Sequence, residues 1–522
     1  MNKSIDTKVR ANDKKTLLIG LDGASWKIIY PLIEEGKLPN LKKLMDEGAH
    51  GTLMSTETMI SPSVWTSILT GKKPQHHGIV DFMTLQNNLK AKRLWSMFED
   101  YGKIAGVAGF MMTWPPKLKN KGFLIPDHFA PGTETIPEDV KFLREITNTQ
   151  EVYKNLSFKK MWQILNRSIK YGIGMSTLFK AGLMFLYKKA ANPEYLDMYY
   201  KEVNMFMLFM EKIFTTLSIM YKPDISAVYF PGTDVLAHKY WSFFKPNDFE
   251  DVDAAHIKKY GNVIPDIYIE SDKAVGRIVR NFRKMFTNLD VFIVSDHGFK
   301  SCEDTTYIPT VRISRLIEKI GMSQKVSYTN IGHNSIIHAV DENHEAQMKT
   351  LNEMKSKVDK IIAMDSKIQI FDTSLIEDFL QIAPEQLWKG YRFDEQVQVN
   401  GELLRVDDFL DKRTPITGTH EREGIAIASG QSIKKRYKFE TADVYDITPT
   451  ILAFNDMPVA EDMDGSVLKE IVVDSFWEKH PINHIESYGG PEGTNFTEQE
   501  LETIKDSEEQ LRLRLKSLGY MD

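Results

Sequence analysis

Residues 291 to 298, VFIVSDHG, decide the fold. Four apolar residues of high strand propensity follow one another without polar alternation, then stop at Ser-Asp-His-Gly. A run of this kind reads as a strand buried on both faces, as in a parallel sheet covered by helices. Four more such runs occur: LLIGLDG at 17 to 23, IAGVAGF at 104 to 110, ISAVYFPGTD at 225 to 234 and GIAIASG at 424 to 430. Helical patterns lie between them, including IIYPLIEEGKLPNLKKLMDEG from 28 and ESDKAVGRIVRNFRKMF from 270. The expected class is α/β, with a mostly parallel central sheet and helices on both faces.

At 522 residues the chain is long enough for a large core with insertions, or for two to three units. Hydrophobic residues at 42% and charged residues at 26% exclude collagen-like, disulfide-rich and disordered classes. A net charge of −6 argues against nucleic-acid binding. The single cysteine, Cys302, forms no intramolecular disulfide. The opening MNKSIDTKVRANDKK is polar, and the first apolar run is too short to span a bilayer. These features predict a cytoplasmic protein, in contact at most with the inner face of the membrane.

The strand-helix rhythm breaks twice. The expected organisation is a catalytic core at 14 to 131, 223 to 302 and 416 to 470, interrupted by a helical basic insertion at 132 to 222 and a mixed α/β insertion at 303 to 415. An acidic helical extension follows at 471 to 522. Between 152 and 193 there is no acidic residue, while Lys154, Lys159, Lys160, Arg167, Lys170, Lys180, Lys188 and Lys189 are all basic. The segment reads either as a cap helix pair with solvated lysines or as a basic, amphipathic surface for a membrane or polyanion.

Strand ends collect residues able to bind metal. Asp22 closes the first run, Asp234 the third, Asp296 and His297 the fourth, and His420 precedes the fifth. Ligands of open α/β sheets bind outside the carboxyl ends of strands, so these positions should converge across nearly 400 residues. His238 follows Asp234 by four, one helical turn. Nitrogen and oxygen donors without cysteine pairs suit zinc or manganese. Ser61 is the second residue of the stretch ISPSVWTSILTGKKPQHHGI at 60 to 79, where it reads as a helix N-cap beside Pro62 and equally as a nucleophile at an anion-favouring helix N-terminus. Lys72, after the Thr-Gly pair, either contacts a phosphate oxygen or is simply solvated.

Taken in order, LIGLDG, the serine-bearing helix start with TG and HGI, TDxxxH, SDHG and GTH resemble the alkaline phosphatase superfamily, and most closely its type I phosphodiesterase/nucleotide pyrophosphatase branch. The resemblance covers roughly 14 to 131, 222 to 300 and 415 to 470. It implies a nucleophile ten residues before Gly71, which is Ser61, with Ser63 as the fallback. It also implies two divalent ions, zinc or else manganese. Asp234, His238 and His420 resemble the ligands of one, and Asp22, Asp296, His297 and the Ser61 oxygen those of the other. The implied activity is two-metal phosphoester hydrolysis through a phosphoserine, on a small-molecule or lipid- or sugar-linked phosphoester. A mutase-like phosphotransferase and a non-catalytic binding module are the alternatives. Two positions depart from the branch: serine stands where those enzymes generally carry threonine, and Phe82 stands where an asparagine contacts the phosphoryl oxygen. Sulfatases need proline and arginine two and four residues after the nucleophile. Ser63 and Trp65 occupy those positions, which excludes that branch.

Overall fold

The computed structural model describes residues 14–80, 82, 86–143, 166–191, 195–249, 252–301, 310–331, 334–341, 343–376, 379–384, 394–411, 417–490 and 496–518. Contacts divide the chain into two units. The first comprises residues 1–237, 252–300 and 420–504, and the second comprises 238–251, 301–419 and 505–522. Residues 303–415 thus fall inside the second unit, and 132–222 inside the first.

The central sheet of the first unit has eight strands: β1 (Lys15–Leu21), β2 (Ala49–Met54), β3 (Ala105–Ala108), β4 (Phe123–Ile125), β5 (Ile225–Phe230), β6 (Leu289–Val294) and, beyond four strands of the second unit that are numbered below, β11 (Glu423–Ser429) and β12 (Tyr437–Asp443). Their spatial order is β12–β2–β11–β6–β1–β5–β3–β4. β1 pairs in parallel with β5 and β6, β3 with β4 and β5, and β2 with β12. Only β11 runs against its neighbours, β2 and β6. Every residue of β1, β5 and β6 is buried, as unbroken apolar runs require.

The helices of the first unit include α1 (Trp26–Glu34), α2 (Pro39–Asp46), α3 (Ser61–Thr70), α4 (Met175–Ala191), α5 (Tyr195–Tyr221), α6 (Gly232–Phe244), whose residues from His238 onward are assigned to the second unit, and α7 (Val263–Met285); α2 packs on β2 and β11, and α7 on β6. α5 rests on β3, β5 and α7. By length and composition α5 is apolar enough to cross a membrane, yet half of its apolar window is buried inside the protein. Arg277 of α7 closes a bidentate pair on the buried Glu211 of α5 at 2.8 and 2.7 Å, which satisfies that carboxylate's charge.

The second unit has its own antiparallel sheet of β7 (Val326–Ile331), β8 (Asn334–Ala339), β9 (Phe371–Ile376) and β10 (Phe379–Pro384), ordered β9–β10–β8–β7. Helix α8 (His344–Val358) packs on it, over a separate core that includes Leu316, Ile337, Leu351, Phe371 and Leu380.

Candidate active site

Because β1, β5 and β6 are parallel, the residues just after them lie at one edge of the sheet. Asp22, Asp234, Asp296 and His297 are gathered there by backbone direction alone. His420 precedes its strand, so in a purely parallel sheet it would stand at the opposite edge. The reversed direction of β11 brings it to the same one. β2 ends at that edge too, since Glu423 pairs with Met54, so the loop leading into α3 and Ser61 leaves from it.

Two groups of donor atoms result, each with its members within 4.8 Å of one another: Asp22, Asp296 and His297, and Asp234, His297 and His420. His297 belongs to both. Its Nε2 lies 3.3 Å from Asp296, 3.8 Å from Asp22 and 3.9 Å from Asp234. The Nε2 of His420 lies 3.3 Å from Asp234, and its ring stacks on His297 at 3.7 Å between centroids.

Three buried carboxylates this close repel one another. Burial, then the charges of Asp296 and Asp234, hold the Asp22 carboxyl well above the ordinary carboxylate range. Burial likewise pushes Asp296 up to about 7. For His420 burial opposes the charged form, but Asp234 outweighs it and the net direction is upward. A divalent cation is the charge that such a set lacks.

The tautomers agree. His297 donates from Nδ1 to the Gly298 carbonyl at 3.0 Å, and His420 from Nδ1 to the Met59 carbonyl at 2.9 Å. A carbonyl can only accept, so each Nδ1 carries a proton, and in the neutral ring that a cation requires each Nε2 presents its lone pair, as metal-binding histidines do. His238, buried one helical turn after Asp234 on α6, shows the same device within the second unit, with Nδ1 3.1 Å from the Gly418 carbonyl. It is in neither of the two donor groups.

Ser61 is the first residue of α3, and the cap position is Ile60. The N-cap reading of Ser61 is therefore corrected, since its hydroxyl caps nothing. The expected array of free helix N–H groups is also reduced, because Ser63 and Val64 both donate to the Ile60 carbonyl and Pro62 has no N–H. The Ser61 hydroxyl is fully buried and makes no hydrogen bond among the described residues. Its neighbours along the chain reach members of the donor groups. Two residues earlier, Met59 holds His420. Four residues later, on the same helix face, Trp65 donates to Asp22 at 3.4 Å. Ser63 is committed elsewhere, donating to the Ile79 carbonyl at 2.8 Å.

Lys72 requires a correction. It lies beyond the C-terminal end of α3, about 15 Å of helix rise from Ser61. There it pairs with Asp462 at 2.7 Å, so its ammonium is not directed at the serine. Phe82 is buried against Phe129, with ring centroids 5.5 Å apart.

Several supporting groups escaped the sequence reading. The Tyr229 hydroxyl donates to the Asp22 carboxylate, and Thr233 to its backbone carbonyl. Tyr229 sits inside an apolar run, and its register opposite Gly20 is the only signal that it reaches β1. Gly23, at φ +62°, turns the chain just after Asp22, and a Cβ there would lie 3.0 Å from that of Asp234. A Cβ on Gly20 would lie 2.7 Å from the Trp65 ring. Gly20→Ala should therefore destabilise by about 1–3 kcal/mol through overpacking and push Trp65 off Asp22. Thermal melting together with tryptophan fluorescence checks this, and an unchanged melting temperature would count against the close approach.

The HGI turn is locked by His77. Ile79 N–H donates to Nδ1 at 3.1 Å, so the proton sits on Nε2, which contacts Ser67 at 3.0 Å. Burial pushes this imidazole down to about 3. Its folded pKa lies below the unfolded value of about 6.5, so its contribution is intact above that value and is lost as pH falls toward the folded one. Wild type should lose more unfolding free energy than His77→Gln between about pH 7 and about pH 5. Equal losses in urea titrations would remove His77 as the cause.

Fold and site together define an α/β protein with a metal-binding type of donor cluster and a buried serine at the carboxyl edge of its sheet. The chain belongs to the type I phosphodiesterase/nucleotide pyrophosphatase family, whose model matches residues 16–384. Phosphoester hydrolysis is the chemistry of that family, which is generally metal-dependent. Solved structures similar to this chain include murine ectonucleotide pyrophosphatase/phosphodiesterase 5, at 13% identity and a TM-score of 0.40, and its human counterpart, at 14% and 0.39. An inactive variant of the murine protein in complex with AMP matches at 13% and 0.39. Each alignment covers 88% of this chain and 100% of the other. No curated protein matches the sequence.

Proposed function

We propose that this protein is a two-metal phosphoester hydrolase that uses Ser61 as its nucleophile. The observation carrying the reading is the pair of donor groups sharing His297, next to a buried serine hydroxyl that makes no hydrogen bond among the described residues. Asp22, Asp296 and His297, with the Ser61 oxygen, would hold one ion. Asp234 and His420 would hold the other, and the candidacy of His238 rests on its one-turn spacing from Asp234. Zinc fits this donor set, with manganese as the alternative. Bound divalent ions supply positive charge that favours a deprotonated hydroxyl and stabilises a transferring phosphoryl group.

The chain's own residues provide position. Trp65 and Tyr229 orient Asp22, and the Met59 and Gly298 carbonyls orient the two imidazoles. α3 holds Ser61 for in-line attack. The Ser61 oxygen–phosphorus bond forms while the bond to the leaving oxygen breaks, and water then releases the phosphoryl group from serine. Burial excludes bulk water from the hydroxyl before substrate arrives.

The substrate would be a small-molecule or lipid- or sugar-linked phosphoester, handled in the cytoplasm. Phe82 stands at the sequence position where the family's asparagine would address phosphate, which favours substrates other than nucleotides. The test is a panel of phosphate monoesters, diesters and sulfate esters presented to protein reconstituted with zinc or manganese. Release of phosphate or alcohol to water supports hydrolysis. Exclusive transfer to a sugar hydroxyl would replace it with the phosphotransferase, and no turnover in any arm would overturn the enzymatic reading.

A further inference from the structure

We infer that the outer face of α4 docks the protein on an anionic lipid surface. Met175, Phe179, Leu183 and Tyr187 recur every fourth residue along this helix and are 64, 67, 50 and 45% exposed. Spacing of four keeps them on one side, as a continuous apolar ridge about 18 Å long. The helix is attached by its other side, where Thr177 is buried and Leu178 and Met184 are half-buried. The ridge is therefore additional to the face that the fold consumes.

Charge selects the occupant. No acidic residue occurs between 152 and 193. On α4 itself Lys180 is exposed beside Phe179, and the sequence adds Lys188 and Lys189 in the last turns. Lys201, from the neighbouring α5, lies over the Tyr187 ring at 5.2 Å. Two acids of neighbouring segments are engaged by other cations, Asp139 with Lys170 at 2.5 Å and Asp197 with Lys259 at 2.7 Å. An apolar ridge flanked by cations matches a helix lying in the plane of an anionic membrane, with aromatic and aliphatic side chains among the acyl boundaries and ammonium groups at the headgroups. A second copy fits less well, because a two-fold contact through this face would set lysines against lysines. Residues Lys154, Phe158, Lys159, Lys160, Met161, Trp162, Ile164 and Leu165 of the acid-free segment lie outside the described residues.

The test uses the full chain with vesicles of phosphatidylcholine alone or mixed with phosphatidylglycerol. Co-sedimentation should occur with the anionic vesicles only and should weaken at least about tenfold from low to high salt, as screening of several lysines demands. Phe179→Gln combined with Leu183→Gln should abolish binding, and Lys180→Gln should weaken it, with thermal melting confirming that each variant is folded. A Phe179→Trp reporter should shift its emission to the blue on anionic vesicles. Equal, negligible binding to both vesicle types would overturn the inference, as would salt-insensitive binding or a double variant that binds like wild type. Conversion of a dimer to a monomer by the double variant, with lipid binding unchanged, would assign the ridge to a second copy instead.

Discussion

Ser61→Ala should reduce turnover by at least about a thousandfold while leaving the fold intact. The hydroxyl caps no helix and makes no hydrogen bond among the described residues, so its removal forfeits none and should cost less than about 1 kcal/mol. Ser63→Ala is the informative partner, because two residues of register separate the rival assignments. The Ser63 hydroxyl donates to the Ile79 carbonyl and helps hold the HGI turn against α3. Its loss should cost about 1 kcal/mol of stability with turnover largely kept. The loss should therefore fall on turnover in Ser61→Ala and on melting temperature in Ser63→Ala. Mass spectrometry of acid-quenched reactions should locate phosphate on the peptide bearing Ser61. Near-wild-type turnover in Ser61→Ala alongside a dead Ser63→Ala would transfer the nucleophile to the second serine.

The ease of reading this site from sequence depended on backbone direction. Asp22, Asp234, Asp296 and His297 each follow an apolar run, and in a parallel sheet that is enough to place them together. His420 belonged to the set by motif order, yet the run it precedes carries no mark of its direction. The antiparallel course of β11 appears only in its pairing with β2 and β6. Tyr229 and Trp65 were hidden for a related reason: both look like core residues, and both are, but their single polar atoms face Asp22. Lys72 shows the opposite failure. It adjoins a motif in sequence, but the motif spans a ten-residue helix, so the two ends of it are far apart in space. The exposed ridge on α4 could not be told from a buried face by periodicity, because Leu178 and Met184 on the inner side alternate with Phe179 and Leu183 on the outer one.

His297→Ala should damage metal binding more deeply than His420→Ala, because only His297 reaches into both donor groups. Metal analysis of wild-type protein should return roughly two equivalents per chain, consistent with a paired site. His420→Ala removes the nitrogen nearest Asp234 and leaves Asp22, Asp296 and His297 as they were, so roughly one equivalent should remain. His297→Ala takes the imidazole that lies between three carboxylates, and with it the donor common to both groups. What remains is Asp22 with Asp296 in one group and Asp234 with His420 in the other, two donors each where a zinc site needs at least three from the protein. Occupancy should fall below about one equivalent, with turnover lost together with it. The Gly298 carbonyl would also lose the donor that now satisfies it, so a lowered melting temperature should accompany the loss. Should His297→Ala retain as much metal as wild type while His420→Ala loses both ions, the shared position of His297 carries no functional weight. A wild-type protein that binds neither zinc nor manganese after reconstitution would remove the two-metal account altogether.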